Sequence, residues 1–199
     1  SLTTTVLAAT APLLVAPAMD GGMYSNAATQ ENMAKLRQRG VLIAGPASGR
    51  LASGLIGMGR LLEAPELLGH IAYALGKDGD LAGRTIVVSA GGTQEPIDPV
   101  RVITNRSSGK MGYALAEAAR DRGAEVVLIA APTSLPDPVG VKIVRVNTAL
   151  EMRSAVKKSM ERASALIMAA AVADYRPRTR RRGKWKAKEG GRQYVNLPL

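Results

Sequence analysis

The sequence predicts an α/β protein built from two successive blocks of alternating strand and helix, the second forming a doubly wound parallel sheet. Three observations carry this. Short apolar runs alternate with segments of helical periodicity along most of the 199 residues. Glycine and alanine repeatedly follow the apolar runs. A polar, glycine-bearing stretch, KDGDLAG at 77–83, interrupts the alternation once and reads as a linker.

In the first block, residues 1–76, the apolar run LLVAPAM is followed by a helical NAATQENMAKLRQRG. A short strand VLIAG, a glycine-rich loop and a helix APELLGHIAYALG come next. The block starts without the first strands that such a sheet needs, so it reads as the second half of a domain. In the second block, residues 84–199, TIVVSA at 85–90 is a strand and 91–107 a long loop. A helix from about Ser108 to Arg122 is expected to turn Met111, Leu115 and Ala118 to the core. The strand EVVLIAA, a proline-rich loop, the strand KIVRV, a helix from Thr148 to Arg162 and the strand ALIMAAA complete the series. Strands separated by helices imply right-handed parallel crossovers.

Composition narrows the function. Hydrophobic residues at 46% and charged residues at 22% fit a soluble globular chain. There is no apolar stretch of about 18 residues and no basic signal-peptide start, so a cytoplasmic protein with no membrane role is expected. Cysteine is absent, which excludes disulfides and thiolate chemistry. The single histidine, His70, lies at helical spacing among apolar side chains and reads as partly buried and structural. Of the net charge of +11, +7 falls between Ala173 and Arg192, where nine basic residues face two acidic ones. The basic run around its lysines contains one aromatic residue, Trp185, leaving little surface for stacking bases, so no nucleic-acid partner is expected.

The segment GGTQEPIDPVRVITNRSSGKMG links the first strand of the second block to its first helix, at the carboxyl edge where open parallel sheets bind ligands. It lacks G-x-G-x-x-G, which argues against a dinucleotide enzyme. Gly91 and Gly92 would let the backbone approach a ligand closely. Ser107 or Ser108 would cap the helix entered through Gly109, whose free N–H groups can hold phosphate. A polyphosphate site is the chemical inference; a capped helix after an ordered loop would use the same residues.

The run T-N-R-S-S-G-K-M-G, preceded by G-G-T-x-E-P-x-D-P-V-R and followed by A-A-A-V-A-D-Y-R-P, closely resembles the phosphopantothenate-cysteine ligase family over residues 84 to 188. The earlier APAMDGGMYSNAATQENMAKLRQRG and GRLASGLIGMGR resemble the C-terminal part of the flavin-dependent phosphopantothenoylcysteine decarboxylase that bacteria fuse in front of this ligase. The resemblance implies a partial flavodoxin-like segment followed by a Rossmann-like ligase, acting in coenzyme A biosynthesis. It also implies 4′-phosphopantothenate, cysteine and CTP as small-molecule substrates, Mg2+ for the ligase, FMN for the decarboxylase family, and a homo-oligomer.

In that family CTP activates the carboxylate of 4′-phosphopantothenate as an acyl-cytidylate, and cysteine then displaces CMP. Asn105 matches the asparagine that handles the acyl-cytidylate. Asp174 matches a nucleotide-contacting aspartate, and Met168, Ala169 and Ala170 match backbone positions beside the nucleotide. Lys184 matches the first lysine of a K-x-K-K motif. The sequence here reads KWKA, so Lys186 is retained, the fourth position is Ala187, and Lys188 follows one step later. The decarboxylase half departs further. Asp20 stands where the family has a carboxylate-gripping asparagine, and Ser53 where it has an acidic cysteine. Decarboxylation and tight FMN binding by this chain are therefore not expected. The family ligase continues well beyond the position of Leu199, so the alternative is a catalytically incomplete nucleotide-binding or oligomerisation module.

Overall fold

The computed structural model describes residues 2–184. The chain is α/β and divides into two compact units, Ser1–Lys77 and Asp78–Leu199.

In the first unit, helix α1 (Leu2–Ala8), which the sequence reading left unassigned, buries none of its side chains. Strand β1 (Leu14–Val15) pairs in parallel with β2 (Leu42–Ile43). Between them lie two helices, α2 (Gly21–Ser25) and α3 (Ala27–Gln38). Each starts on a side-chain oxygen that satisfies a free backbone donor: Asp20 accepts from Gly22 N–H at 3.1 Å, and Asn26 from Ala28 N–H at 3.0 Å. The glycine-rich loop is not featureless. It folds as an antiparallel hairpin of β3 (Ala47–Arg50) and β4 (Ile56–Arg60), with a bulge between Ala47 and Ser48. Helix α4 (Ala64–Gly76) spans the expected residues, with proline in its first turn, where a missing N–H costs nothing. His70 on α4 is half-buried.

The second unit holds the larger core. Strands β5 (Thr85–Ala90), β8 (Glu125–Ala130), β9 (Lys142–Arg145) and β10 (Ala165–Met168) form one parallel sheet in the order β10-β5-β8-β9. Side chains alternate across β5. Ile86, Val88 and Ala90 meet Tyr113 and Ala116 of helix α5 (Lys110–Asp121), while Val87, with Ile129 of β8, meets Met152 of helix α6 (Ala149–Met160). Helices therefore cover both faces. The chain steps outward from β5 through α5 to β8 and β9, then returns through α6 to the opposite side of β5. That reversal puts the switch point between β5 and β10, where ligands enter doubly wound sheets.

Helix α5 differs from expectation in two respects. Met111 is 71% exposed and Ala118 is also exposed, whereas Gly112, Tyr113, Ala116, Ala119 and Arg120 form the buried face. Backbone proximity selects this face: a Cβ on Gly112 would lie 2.5 Å from Ala90 Cβ, so the helix rests on β5 where it has no side chain. Arg120 is tolerated there because its guanidinium donates to the carbonyl of Val139 at 2.6 Å and pairs with Asp121. Neither Ser107 nor Ser108 is the N-cap. That position is Gly109, in the left-handed region at φ +76°, and the helix has no side-chain cap. The serines act one step earlier, Ser107 Oγ accepting from Gly109 N–H at 3.3 Å and Ser108 Oγ from Lys110 N–H at 3.5 Å. Within residues 77–83, Leu81 N–H bonds Arg122 O at 2.9 Å and Asp80 pairs with the Arg122 guanidinium, which fixes this segment to the end of α5.

Candidate functional site

The carboxyl ends of β5 and β10 are tied together by backbone and hydroxyl groups. Beyond β5 the chain makes the two closest approaches in the site: a Cβ on Gly91 would lie 2.8 Å from Ala131 O, and one on Gly92 2.8 Å from Asn105 O. Gly91 also sits at φ +82°, so glycine is required there twice over. Gly92 bridges Ala171 in parallel. Ala171 N–H donates to Gly91 O at 2.8 Å, and Thr93 N–H to Ala171 O at 3.2 Å.

The long loop after Thr93 is not irregular. Strands β6 (Gln94–Pro96) and β7 (Val102–Thr104) form an antiparallel hairpin whose turn is closed by buried Asp98, accepting from Val100 N–H at 2.8 Å and Arg101 N–H at 2.7 Å. Glu95, also buried, accepts from Ala149 N–H at 2.7 Å and so satisfies a free donor at the start of α6. Thr104 Oγ1 donates to Thr93 O at 2.9 Å, bringing the hairpin back to the sheet edge. Asn105 follows. Its side-chain N–H donates to Val172 O at 3.0 Å, which pins the loop after β7 to the loop after β10.

Gly91, Gly92, Asn105 and the segment 168–174 are thus brought together. Gly109 joins them, since a Cβ there would lie 3.4 Å from Gly91 N, and Thr133 Oγ1 fixes the approach by donating to Ser108 O at 3.0 Å. Met168 is 57% exposed at the strand end, and Asp174 is exposed on the loop beyond it. Lys184, the last described residue, is exposed and makes no hydrogen bond or ion pair to another candidate among the described residues. Arg181 N–H bonds Ile97 O at 3.0 Å, which ties the basic stretch at that residue to the β6–β7 turn. Lys186, Ala187 and Lys188 lie outside the described residues.

Sequence reasoning missed Ser89, Thr93 and Glu95. The only available signal was a hydroxyl inside an apolar strand, another directly after two glycines, and a carboxylate between two turn-forming segments. Each proves to be buried and hydrogen-bonded to backbone.

In the first unit, Ser53 Oγ donates to Asp20 Oδ2 at 2.5 Å. That hydroxyl, and then the Gly22 N–H, hold the Asp20 carboxyl below the usual carboxylate range. The pair thus presents an anionic oxygen where the resemblance implies a neutral amide. Among the described residues, no three His, Cys, Asp or Glu side chains gather into a metal-binding group. No described helix is long and apolar enough to cross a membrane.

Comparison with known proteins follows the same division. The family model described as Flavoprotein matches residues 1–76, and that described as DNA/pantothenate metabolism flavoprotein C-terminal domain matches residues 81–199. The chain is 51% identical over 178 residues to the coenzyme A biosynthesis bifunctional protein CoaBC of Vibrio cholerae, covering 89% of this chain and 44% of that protein. The protein of the same description from Mycobacterium tuberculosis is 51% identical over 181 residues, covering 88% of this chain and 43% of its own length. The chain therefore spans less than half the length of these relatives. A crystal structure of the C-terminal domain of a coenzyme A biosynthesis bifunctional protein CoaBC superposes with a TM-score of 0.51 at 43% identity, covering 59% of this chain and 54% of that one. With the C-terminal domain model matched over more than half of its residues, the chain belongs to the DNA/pantothenate metabolism flavoprotein family.

Proposed function

We propose that the second unit is the nucleotide-binding part of a phosphopantothenate-cysteine ligase that uses CTP. The observation that carries this is the convergence at the switch point: Gly91 and Gly92, the amide of Asn105, the start of α5 at Gly109 and the strand end Met168–Ala170 meet at one carboxyl edge. In the proposed reaction the carboxylate of 4′-phosphopantothenate attacks the α-phosphate of CTP, forming an acyl-cytidylate and releasing pyrophosphate. The amine of cysteine then attacks the acyl carbon and CMP departs.

Each group has a task in that sequence. Glycine backbone at the loop admits the phosphates closely, and the free N–H groups at the start of α5 offset their charge. Asn105, a neutral amide, donates to the acyl oxygen without repelling it. Lys184 supplies positive charge as it builds on the α-phosphate. Mg2+ would be held by the nucleotide's phosphate oxygens, and Asp174 would contact the nucleotide. We assign residues 1–76 to the decarboxylase family without its chemistry, residues 77–83 to the linker, and residues 84–199 to the ligase.

Titration calorimetry with magnesium tests the nucleotide. CTP should bind more tightly than ATP; equal or tighter ATP binding would remove the CTP assignment. A second reading, a nucleotide-binding module without turnover, is favoured by the lack of any hydrogen bond or ion pair from Lys184 to another candidate among the described residues. Binding of CTP with no pyrophosphate release in the presence of 4′-phosphopantothenate would select it.

A further inference from the structure

Ser89 is fully buried in β5 and stands opposite Met168 in the register with β10. Its hydroxyl donates to Met168 Sδ at 3.6 Å and accepts from the backbone N–H groups of both Ala169 and Ala170 at 3.2 Å. One proton and two lone pairs are all that a serine hydroxyl has, so this one is saturated. Ala169 N–H reaches Ser89 O as well, also at 3.2 Å. Both N–H groups turn toward β5 before the chain rejoins the ladder at Ala171. The carbonyls of Ala169 and Ala170 receive no hydrogen bond among the described residues.

We infer that Ser89 sets which nucleobase edge this site accepts. By engaging both N–H groups it leaves the segment Ala169–Ala170 with acceptors alone. Such an edge takes a base that offers a donor, an exocyclic amine as in an aminopyrimidine, and rejects one that offers a carbonyl there, as uracil does. Acceptor against acceptor leaves both groups unpaired once water is excluded, which is how a site built for an N–H donor rejects the analogue lacking it. Ser89 touches no ligand in this scheme. It is a positioning residue acting through the backbone, and the inference rests on the nucleotide reading of Met168–Ala170.

Truncation to alanine leaves Ala169 N–H its bond to Ser89 O but strips Ala170 N–H of its acceptor. The freed donor can then turn to a keto oxygen. The test uses the 199-residue chain, calorimetry with magnesium and either CTP or UTP, and amide hydrogen exchange at Ala170 without nucleotide. The wild type should favour CTP over UTP by about tenfold or more and should protect the Ala170 amide. Ser89→Ala should lower the CTP/UTP ratio to about threefold or less and speed Ala170 exchange by about tenfold. An unchanged ratio in Ser89→Ala would overturn the specificity role. Should Ser89→Ala fail to fold, the wild type decides: equal CTP and UTP affinity, or an unprotected Ala170 amide, overturns the inference. A wild type that binds neither nucleotide removes the ligase reading and the specificity role with it. Protection of Ala170 still reports the hold of the hydroxyl in that case, so the two failures separate.

Discussion

Ser53 and Asp20, the two positions at which the first unit departs from the decarboxylase pattern, are bonded to each other, Ser53 Oγ donating to Asp20 Oδ2 at 2.5 Å. The departures thus form one coherent contact. A carboxylate at position 20 gains a hydroxyl donor at position 53 while it caps α2 through Gly22 N–H. Both donors favour the ionised form of Asp20.

The first prediction concerns that ionisation. Asp20 has a depressed pKa in the folded state, so its bonds contribute stability that is present above the unfolded value, about 3.9, and is lost as pH falls through the lower folded value. Nuclear magnetic resonance titration of the Asp20 carboxyl should place its midpoint below that of an unstructured aspartate, and Ser53→Ala should raise it. An ordinary midpoint in the wild type would remove the argument.

The same ionised group predicts no decarboxylation. A substrate carboxylate brought to Asp20 meets like charge with no cation beside the pair among its hydrogen-bond partners. Incubation of the chain with FMN and phosphopantothenoylcysteine should release no carbon dioxide. Measurable release would show that the carboxylate is gripped elsewhere.

A third prediction tests the seat of α5. A methyl group on Gly112 would lie 2.5 Å from Ala90 Cβ and 2.9 Å from Ser89 O, inside a core that cannot yield without moving the helix. Gly112→Ala should cost about 1–3 kcal/mol by denaturant unfolding. A neutral result would mean that α5 lifts off β5 freely.

Glu95 offers a fourth. Its buried carboxylate serves Ala149 N–H, a donor at the first residue of α6 that the Thr148–Glu151 capping box does not reach. Glu95→Ala leaves that part-buried N–H without its partner and should cost about 1–3 kcal/mol. Glu95→Gln retains an acceptor oxygen and should cost less. Equal losses for the two would show that bulk, not the hydrogen bond, matters at position 95.

The sequence was most legible where a single cause dominates. β5 and α4 were located residue for residue, because an unbroken apolar run and a helical run after a proline leave few alternatives. Met111 misled, since counting apolar spacing assumes that large side chains face inward, whereas α5 turns its glycine and alanines to the sheet to come close. The hairpins β3–β4 and β6–β7 look like loops in the sequence because glycine and proline break the alternation that marks strands. At the candidate site, the glycines and Asn105 were visible as residue types. The reason they matter, the approach of Ala131, Asn105 and Ala171 to Gly91 and Gly92, depends on contacts between residues far apart in the chain.

The last prediction separates Asn105 from Lys184 in a ligase preparation that turns over. Lys184 is exposed and bonds no other candidate among the described residues, so Lys184→Ala should leave the fold and the binding loop intact. It should slow acyl-cytidylate formation by roughly a hundredfold, the usual cost of one electrostatic contact made at the transition state. Asn105→Asp is a different experiment. The amide donates to Val172 O, and a carboxylate there replaces a donor by a second acceptor facing that carbonyl. The loop after β10 should therefore loosen. The acyl-cytidylate, once formed, should react poorly with cysteine because the new negative charge lies beside its acyl oxygen. Rapid-quench assays with labelled CTP resolve the two steps. If Lys184→Ala activates normally while Lys186→Ala or Lys188→Ala abolishes activation, the working lysine lies further along the basic stretch. If Asn105→Asp condenses cysteine at the wild-type rate, Asn105 serves only to pin the two loops.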